Sequence, residues 1–245
     1  ELCNDYKELA QLWPGGFAEY MAIPTEAVLN GAIQKIPSEM NPVHATLVEP
    51  LSSCVNAQEK GKVGPGDTVV IIGAGPIGTL HAELARAQGA DKIIVTDIDD
   101  NRLELIKSYS PDHIINPTRT DLVSEIKRIT DGYGADVVIT ANSSPEAQIL
   151  AVQMAKKGGR VLLFGGLPKE KSFPGVDMNL VHYNALQLIG TTVFAPRHNR
   201  IAMNLIASGK ISAEKFITHI FPLSEFVEGA QLALEGKARK VVFVP

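Results

Sequence analysis

The sequence predicts an α/β protein built on a doubly wound, fully parallel β-sheet. From residue 67 onward, short apolar runs alternate with helical patterns, and these runs are continuous Val, Ile and Leu stretches. Continuous apolar strands are expected where helices cover both faces of a parallel sheet. Right-handed crossovers favour the strand order 3-2-1-4-5-6. The predicted strands are 67–72, 92–96, 112–115, 136–140, 160–164 and 187–192, and the predicted helices are 76–88, 100–109, 120–130, 145–156 and 197–208.

A glycine-rich turn, Gly73-Ala-Gly-Pro-Ile-Gly78, closes the first predicted strand. Gly73 permits the tight turn, Gly75 lets bare backbone approach a pyrophosphate, and Gly78 lets the helix pack close to the strand. The helix that begins at Pro76 and Ile77 directs unpaired N–H groups and a positive dipole end at the phosphates. The turn therefore predicts a dinucleotide site in a sheet of the Rossmann type.

Asp97 ends the second predicted strand, about 20 residues after the turn. A carboxylate at this place accepts hydrogen bonds from the ribose hydroxyls and repels a 2′-phosphate. We therefore expect NAD to be preferred over NADP. A glycine-rich turn that merely joins two elements is the alternative, and the strand, helix and acid around this turn argue against it.

Composition restricts the classes of partner. The 245 residues are 45% hydrophobic and 20% charged, with a net charge of −4 and no basic run, so a nucleic-acid partner is not expected. No apolar stretch approaches the roughly 18 residues of a membrane span, and no signal peptide is recognised. The two cysteines, Cys3 and Cys54, are too few for a disulfide framework. These observations predict a cytoplasmic protein without a membrane partner.

The two ends of the chain do not follow the alternation. Residues 1–46 hold a short strand-like piece, while 210–245 hold strand-like runs at 217–221 and 240–244 around a helix at 223–235. We interpret these ends as parts of a second, largely β domain, and 47–209 as the sheet domain.

Several segments together resemble the zinc-containing medium-chain dehydrogenases, in the branch of the sorbitol (polyol) and threonine dehydrogenases. The resemblance runs the whole length of the chain. It implies a GroES-like, mainly β catalytic domain, an NAD-binding domain, a catalytic zinc, a small alcohol or polyol substrate, and a homodimer or homotetramer. The segments are Gly15-Gly16-Phe17-Ala18-Glu19-Tyr20, Leu47-Val48-Glu49-Pro50-Leu51, Gly73–Gly78, Thr96-Asp97 with Arg102, His219-Ile-Phe-Pro-Leu223 and Lys240-Val-Val-Phe-Val-Pro245.

The resemblance also implies roles for single residues. Glu49 matches a glutamate near the catalytic zinc, either as a ligand or through bound water, and the alternative is an acid that suits the start of a helix. Cys3 resembles the last of four cysteines around a structural zinc. Arg102 matches an arginine over the adenine, against the alternative of a solvated helix arginine, and Asn142 lines the adenine pocket. The segments that match the nicotinamide half are Phe164, Gly165, Gly166, Thr191, Thr192 and Val193.

The departures from the family are as informative. The zinc-binding Cys and the Gly-His-Glu segment of the first catalytic lobe are not found, and the six histidines lack metal-ligand spacing. The chain therefore resembles a subunit that starts just after that lobe, and we expect it to be inactive by itself. In sorbitol dehydrogenases an Arg-Tyr pair contacts the polyol, and Val193-Phe194 stand at that place in this chain. We therefore expect a related alcohol, polyol or sugar as the substrate rather than sorbitol itself.

Two other interpretations stay open at this point. One is a non-catalytic NAD-binding module. The other is a methyltransferase-like sheet that binds S-adenosylmethionine. For assembly, we expect the sixth strand to lie at the sheet edge and to pair with a second subunit.

Overall fold

The computed structural model describes residues 2–5 and 7–245, so residues 1 and 6 of the predicted first segment lie outside it. The α-helices are α1 (Thr25–Leu29), α2 (Pro42–Ala45), α3 (Val48–Lys60), α4 (Pro76–Ala87), α5 (Asp100–Ile106), α6 (Leu122–Ile129), α7 (Pro145–Met154), α8 (Met178–Tyr183), α9 (Pro196–Ala207) and α10 (Phe226–Leu234). The strands are β1 (Thr68–Ile72), β2 (Lys92–Thr96), β3 (His113–Ile115), β4 (Ala135–Thr140), β5 (Ala155–Leu163), β6 (Gln187–Gly190), β7 (Ile217–Pro222) and β8 (Lys240–Val244). Short 3₁₀ turns cover Lys107–Tyr109, Lys169–Lys171 and Leu223–Glu225.

Six strands form one sheet in the order β3-β2-β1-β4-β5-β6, and every pair is parallel. The predicted α/β class and strand order are confirmed. Val69, Val70 and Ile71 of the central strand are completely buried, which explains why this strand is apolar on both faces. Ile72 is in register with Thr96 and with Thr140, so the carboxyl ends of β1, β2 and β4 lie side by side. Ligands bind at this edge in open parallel sheets.

Two strand bounds differ from the prediction by more than one residue. The helix α7 ends at Met154 because Ala155 is already extended and pairs with Ala135, so β5 begins five residues before the predicted 160. At the other end, β6 stops at Gly190 rather than 192, since its register with β5 ends at the pair Leu163 and Gly190.

The chain divides into two compact units, 53–192 on the one hand and 1–52 with 193–245 on the other. The first holds the six-stranded sheet. The second holds the parallel pair β7 and β8, and α10 packs on this pair through Gly229, where an added Cβ would lie 2.6 Å from the Phe243 ring. Before residue 47, the described residues form α1, α2 and one isolated bridge between Leu9 and Trp13, rather than a named strand.

The functional assignment of these units stays a prediction. The predicted parts were 1–46, 47–209 and 210–245. Along the chain, the boundaries of the compact units fall between residues 52 and 53 and between residues 192 and 193. Among the described residues, no helix is both long and apolar enough to cross a membrane.

Candidate dinucleotide site

The turn after β1 has the geometry that its glycines predict. Gly73 has a φ of +119°, a conformation that L side chains rarely adopt. An added Cβ at Gly78 would lie 1.8 Å from the carbonyl oxygen of Gly73, so a side chain there would push α4 away from the turn. An added Cβ at Gly75 would meet nothing within 4 Å. The turn is therefore closed toward the sheet and open toward the place where a pyrophosphate is expected.

The first turn of α4 has room for an anion. Gly75 is the N-cap and offers no side-chain acceptor, and Pro76 has no N–H to satisfy. The amides of Ile77 and Gly78 lie in the first turn, where helix N–H groups have no partner within the helix. Backbone donors and the positive end of the helix dipole therefore coincide at this place.

Asp97 connects the carboxyl end of β2 to this turn. Its side chain is only 6% exposed, and its Oδ2 accepts a hydrogen bond of 2.8 Å from the Ala74 amide. Its Oδ1 accepts another of 3.0 Å from the Asp99 amide, and the Arg102 Nη1 lies 3.7 Å from Oδ2. A carboxylate has about four acceptor positions. The backbone thus fixes the orientation of Asp97 and leaves acceptor capacity for a ligand.

A cavity of about 450 Å³ opens beside Asp97 at the carboxyl edge of the sheet. Five predicted cofactor residues line it, namely Gly73, Gly75, Asp97, Arg102 and Asn142. Its other lining residues are Ile72, Thr96, Ile98, Pro117, Leu122, Ala141, Ser143, Ser144, Glu146, Ala147 and Leu150. The hydroxyl Oγ1 of Thr96 is buried in this lining without a hydrogen-bond partner among the described residues. The cavity therefore combines apolar walls with polar atoms that a ligand would satisfy.

Asn142 lines the cavity, but both ends of its amide are already bonded. Its Nδ2 donates to the Ile72 carbonyl at 3.1 Å, and its Oδ1 accepts from the Ser144 amide at 3.0 Å. The side chain thus joins the end of β1 to the loop that precedes α7. Asn142 shapes the cavity wall through these bonds.

The residues predicted for the nicotinamide half do not line this cavity. They follow the ends of β5 and β6. The Gly165 amide donates to the Thr140 carbonyl at 2.9 Å. An added Cβ on Gly165 would lie 1.9 Å from the backbone carbonyl oxygen of Asn142. Thr191 donates to the Leu163 carbonyl, and the Thr192 carbonyl accepts from Asn56. Phe164 and Gly166 flank Gly165, while Val193, at a φ of +47°, begins the other compact unit.

Sequence reasoning missed a buried polar cluster beneath Phe164. The His81 ring meets the Phe164 ring edge to face, with centroids 4.6 Å apart. Gln58 Nε2 donates to the His81 carbonyl at 2.7 Å and lies 3.2 Å from the ring Nδ1. Burial lowers the pKa of His81 from 6.5 to about 3, so the ring is neutral at neutral pH. The sequence did contain a signal for this burial. His81 lies at helical spacing among the apolar residues Leu80, Leu84 and Ala85, which form the buried face of α4.

The described residues do not form a zinc site. No group of three or more His, Cys, Asp or Glu side chains able to hold a metal occurs in the part of the chain that the structure describes. Glu49 lies in the first turn of α3, and partial burial raises the pKa of its carboxyl despite the opposing effect of Lys240, with Glu8 adding repulsion. Cys3 is an exposed free thiol. Within the described ranges, Glu49 and Cys3 therefore lack the further ligands that a zinc ion would need.

Comparison with known proteins gives the family. The family model described as zinc-binding dehydrogenase matches residues 76–208, which include the helix after the turn, Asp97 and every lining residue of the cavity from Thr96 onward. The chain belongs to this family. An L-threonine 3-dehydrogenase of Pyrococcus abyssi is 35% identical over 99% of this chain and 68% of its own length. The sorbitol dehydrogenase of Bacillus subtilis is 30% identical over 96% of this chain and 65% of its own length.

Solved structures agree with this membership. A zinc-binding dehydrogenase from Sinorhizobium meliloti 1021, bound to NADP, superposes with a TM-score of 0.84 at 28% identity, covering 94% of this chain and 66% of its own. The predicted resemblance to the sorbitol and threonine branch is confirmed. The chain spans about two thirds of the length of these relatives.

Proposed function

We propose that this chain is the cofactor-binding portion of an NAD- and zinc-dependent oxidoreductase that transfers a hydride between a secondary alcohol or polyol and NAD. The observation that carries the proposal is the buried Asp97 carboxylate, which the Ala74 amide holds beside the glycine turn in a cavity that also contains the Thr96 hydroxyl, unpaired among the described residues. The substrate class, which includes threonine-like and sugar alcohols, comes from the relatives. A cytoplasmic location belongs to the same proposal.

The residues present fit a dinucleotide. The open space above Gly75 and the first-turn amides of α4 would hold the pyrophosphate, and Asp97 would accept from the adenosine ribose. When bound, the nicotinamide supplies the hydride acceptor. Phe164 to Gly166 and Thr191 to Val193 are proposed to hold that half, because they follow β5 and β6 at the same edge of the sheet.

The form of the cofactor depends on residue 97. The Sinorhizobium structure carries NADP, so membership in the family does not by itself decide between the two cofactors. A 2′-phosphate beside Asp97 would face a carboxylate whose counter-charge, among the residues that the structure describes, is the exposed Arg102. Charges about 4 Å apart interact by roughly 1 to 4 kcal/mol at effective dielectrics of 80 to 20, so we expect NAD to be preferred at least about tenfold.

The second candidate function is a non-catalytic NAD-binding module. The observation in its favour is the absence, among residues 2–5 and 7–245, of three clustered metal-ligating side chains. A zinc site normally needs three or four protein ligands, so Glu49 and Cys3 alone would not hold the metal. Family membership replaces the methyltransferase-like interpretation, since the matched family is one of dehydrogenases.

Titration of the 245-residue chain with NADH and NADPH, followed by nicotinamide fluorescence, tests the proposed cofactor. We expect NADH to bind at least tenfold more tightly, and Asp97→Asn to remove most of that preference. Asp91→Asn is the matched control, because Asp91 is an exposed carboxylate that does not line the cavity. Equal affinity of the wild-type chain for both cofactors would overturn the role of Asp97.

Turnover separates the two candidate functions. The chain is assayed with NAD and either L-threonine or sorbitol, with and without added zinc, after its mass has been verified. NADH binding without turnover supports the module for this chain. Zinc-dependent turnover supports the enzyme and would show that the metal site has been misplaced.

A further inference from the structure

Three polar side chains of the cavity lining already bond to the protein. Both amide ends of Asn142 are bonded to backbone groups, and Asp97 accepts two backbone amides on the ribose side. Ser144 donates to Glu146 Oε2 at 2.6 Å and accepts from the Ala147 amide at 3.3 Å. The Glu146 carboxylate also lines the cavity from α7, and with about four acceptor positions it keeps acceptor capacity beyond the Ser144 bond and a backbone bond.

The apolar part of the lining suits a flat ring. Ile98 and Pro117 belong to the loops after β2 and β3, Leu122 opens α6, and Ala147 and Leu150 lie on α7. These side chains give apolar contact from different elements, and Glu146 stands on the same helix as two of them.

We propose that Glu146 recognises the base of the dinucleotide, its carboxylate accepting a hydrogen bond from the 6-amino group of adenine. The site would then take adenine in preference to a 6-oxopurine such as hypoxanthine, which would place a carbonyl oxygen against the carboxylate. This inference rests on the proposed binding of NAD. It adds a specificity residue on α7, an element that the glycine turn and Asp97 do not involve.

The local chemistry keeps Glu146 an acceptor. The hydrogen bond from the Ser144 hydroxyl, a backbone hydrogen bond and the nearby Lys171 hold the pKa of Glu146 below its ordinary value. An ionised carboxylate accepts and does not donate. The bond from Ser144 also ties the side chain to the first turn of α7 before a ligand arrives.

The test compares NADH with the reduced hypoxanthine analogue, which carries a carbonyl oxygen in place of the 6-amino group and a proton on N1. Dissociation constants are measured by fluorescence for the 245-residue wild-type chain, Glu146→Ala, Glu146→Gln and the control Glu104→Gln. Glu104 is an exposed helix carboxylate outside the cavity, so its variant changes the net charge equally. Because Glu146 is solvent-exposed, we expect the wild-type chain to prefer NADH by about fivefold to tenfold, less than a buried charged hydrogen bond would give.

We expect Glu146→Ala to abolish the preference and to weaken NADH binding. The dissociation constant of the hypoxanthine analogue should stay within about twofold of its wild-type value. Glu146→Gln keeps an acceptor without the charge, so it should retain a reduced preference, and it serves as the second variant if the alanine substitution disturbs α7. A wild-type preference that survives both substitutions, or that Glu104→Gln removes equally, would overturn the proposal. Failure of the wild-type chain to bind NADH at all would instead overturn the proposed function.

Discussion

Protonation of His81 should make the sheet unit acid-sensitive. The ring is completely buried, and its pKa falls from 6.5 to about 3 in the folded chain. Gln58 Nε2 faces Nδ1 as a donor, so a second ring N–H would meet a donor instead of an acceptor. The unfolded chain therefore binds a proton below pH 6.5 that the folded chain does not bind.

The sign and size of the effect follow from linkage. A group that binds protons more weakly in the folded state costs stability as the pH falls through its unfolded pKa, and the cost grows by about 1.4 kcal/mol per pH unit. With pKa values of 6.5 unfolded and about 3 folded, the loss at pH 5 relative to pH 8 is about 2 kcal/mol. Above pH 7.5 the contribution vanishes.

The assay compares the wild-type chain with His81→Gln at pH 8, 7, 6 and 5. Hydrogen exchange of the β1 amides, corrected for intrinsic rates, gives the opening free energy of the unit that contains His81. A packing cost of the substitution is the same at every pH, so it cancels from the change in the difference. Between pH 8 and pH 5, we expect the opening free energy of the wild-type chain to fall by about 2 kcal/mol more than that of His81→Gln.

The control is His182→Gln, which removes a histidine that is exposed on α8. Its pH profile should run parallel to that of the wild-type chain. Parallel profiles for His81→Gln and the wild-type chain would refute the reasoning, because they would mean that the buried ring carries its proton into the folded state or that it is buried only in part.

Three further outcomes are expected. Gly78→Ala should weaken NADH binding at least about tenfold, because its Cβ would lie 1.8 Å from the Gly73 oxygen, whereas Gly64→Ala, in open space, should bind normally; equal binding by both would contradict the turn geometry. Arg160→Met should lower the unfolding free energy by about 2–3 kcal/mol in urea titrations, since it leaves the little-exposed Asp67 without its ion pair, while breaking the exposed pair by Arg119→Met should cost under about 1 kcal/mol. Light scattering at micromolar concentration should show a dimer or tetramer that pairs through β6, and Leu188→Asp should dissociate it while Leu105→Asp should not; a monomeric wild-type chain, or a dimer that Leu188→Asp leaves intact, would refute that edge.

Much of the fold was predictable because the parallel sheet leaves a local pattern. Each central strand is buried on both faces, so its apolar run is continuous and its neighbours along the chain are helices. The early start of β5 was not predictable, since Ala155 becomes extended through its pairing with Ala135, a partner 20 residues away. Apolar content alone does not separate the end of α7 from the start of the strand.

The candidate site was predictable where its chemistry is local in sequence. Gly73 to Gly78 and Asp97 follow strand ends directly, and the register of β1 with β2 brings them together. The bonding of Asn142 depends on the Ile72 carbonyl from another strand, and the contact of His81 with Phe164 joins α4 to the segment after β5. Such contacts depend on the folded sheet, and short-range patterns do not contain them.

The division into units separates the residues proposed for cofactor binding from the residue proposed to lie near zinc. Every residue that lines the cavity beside Asp97 belongs to the unit 53–192, and so do His81, Phe164 and Thr192. Glu49 and Lys240 belong to the other unit, where each alters the pKa of the other. The determinants proposed for the adenosine half are therefore contained in one compact unit, while the residue proposed to lie near zinc is not among them. Cofactor binding without turnover is thus a consistent outcome for this chain, and base selectivity at Glu146 is measurable whether or not a metal centre is complete.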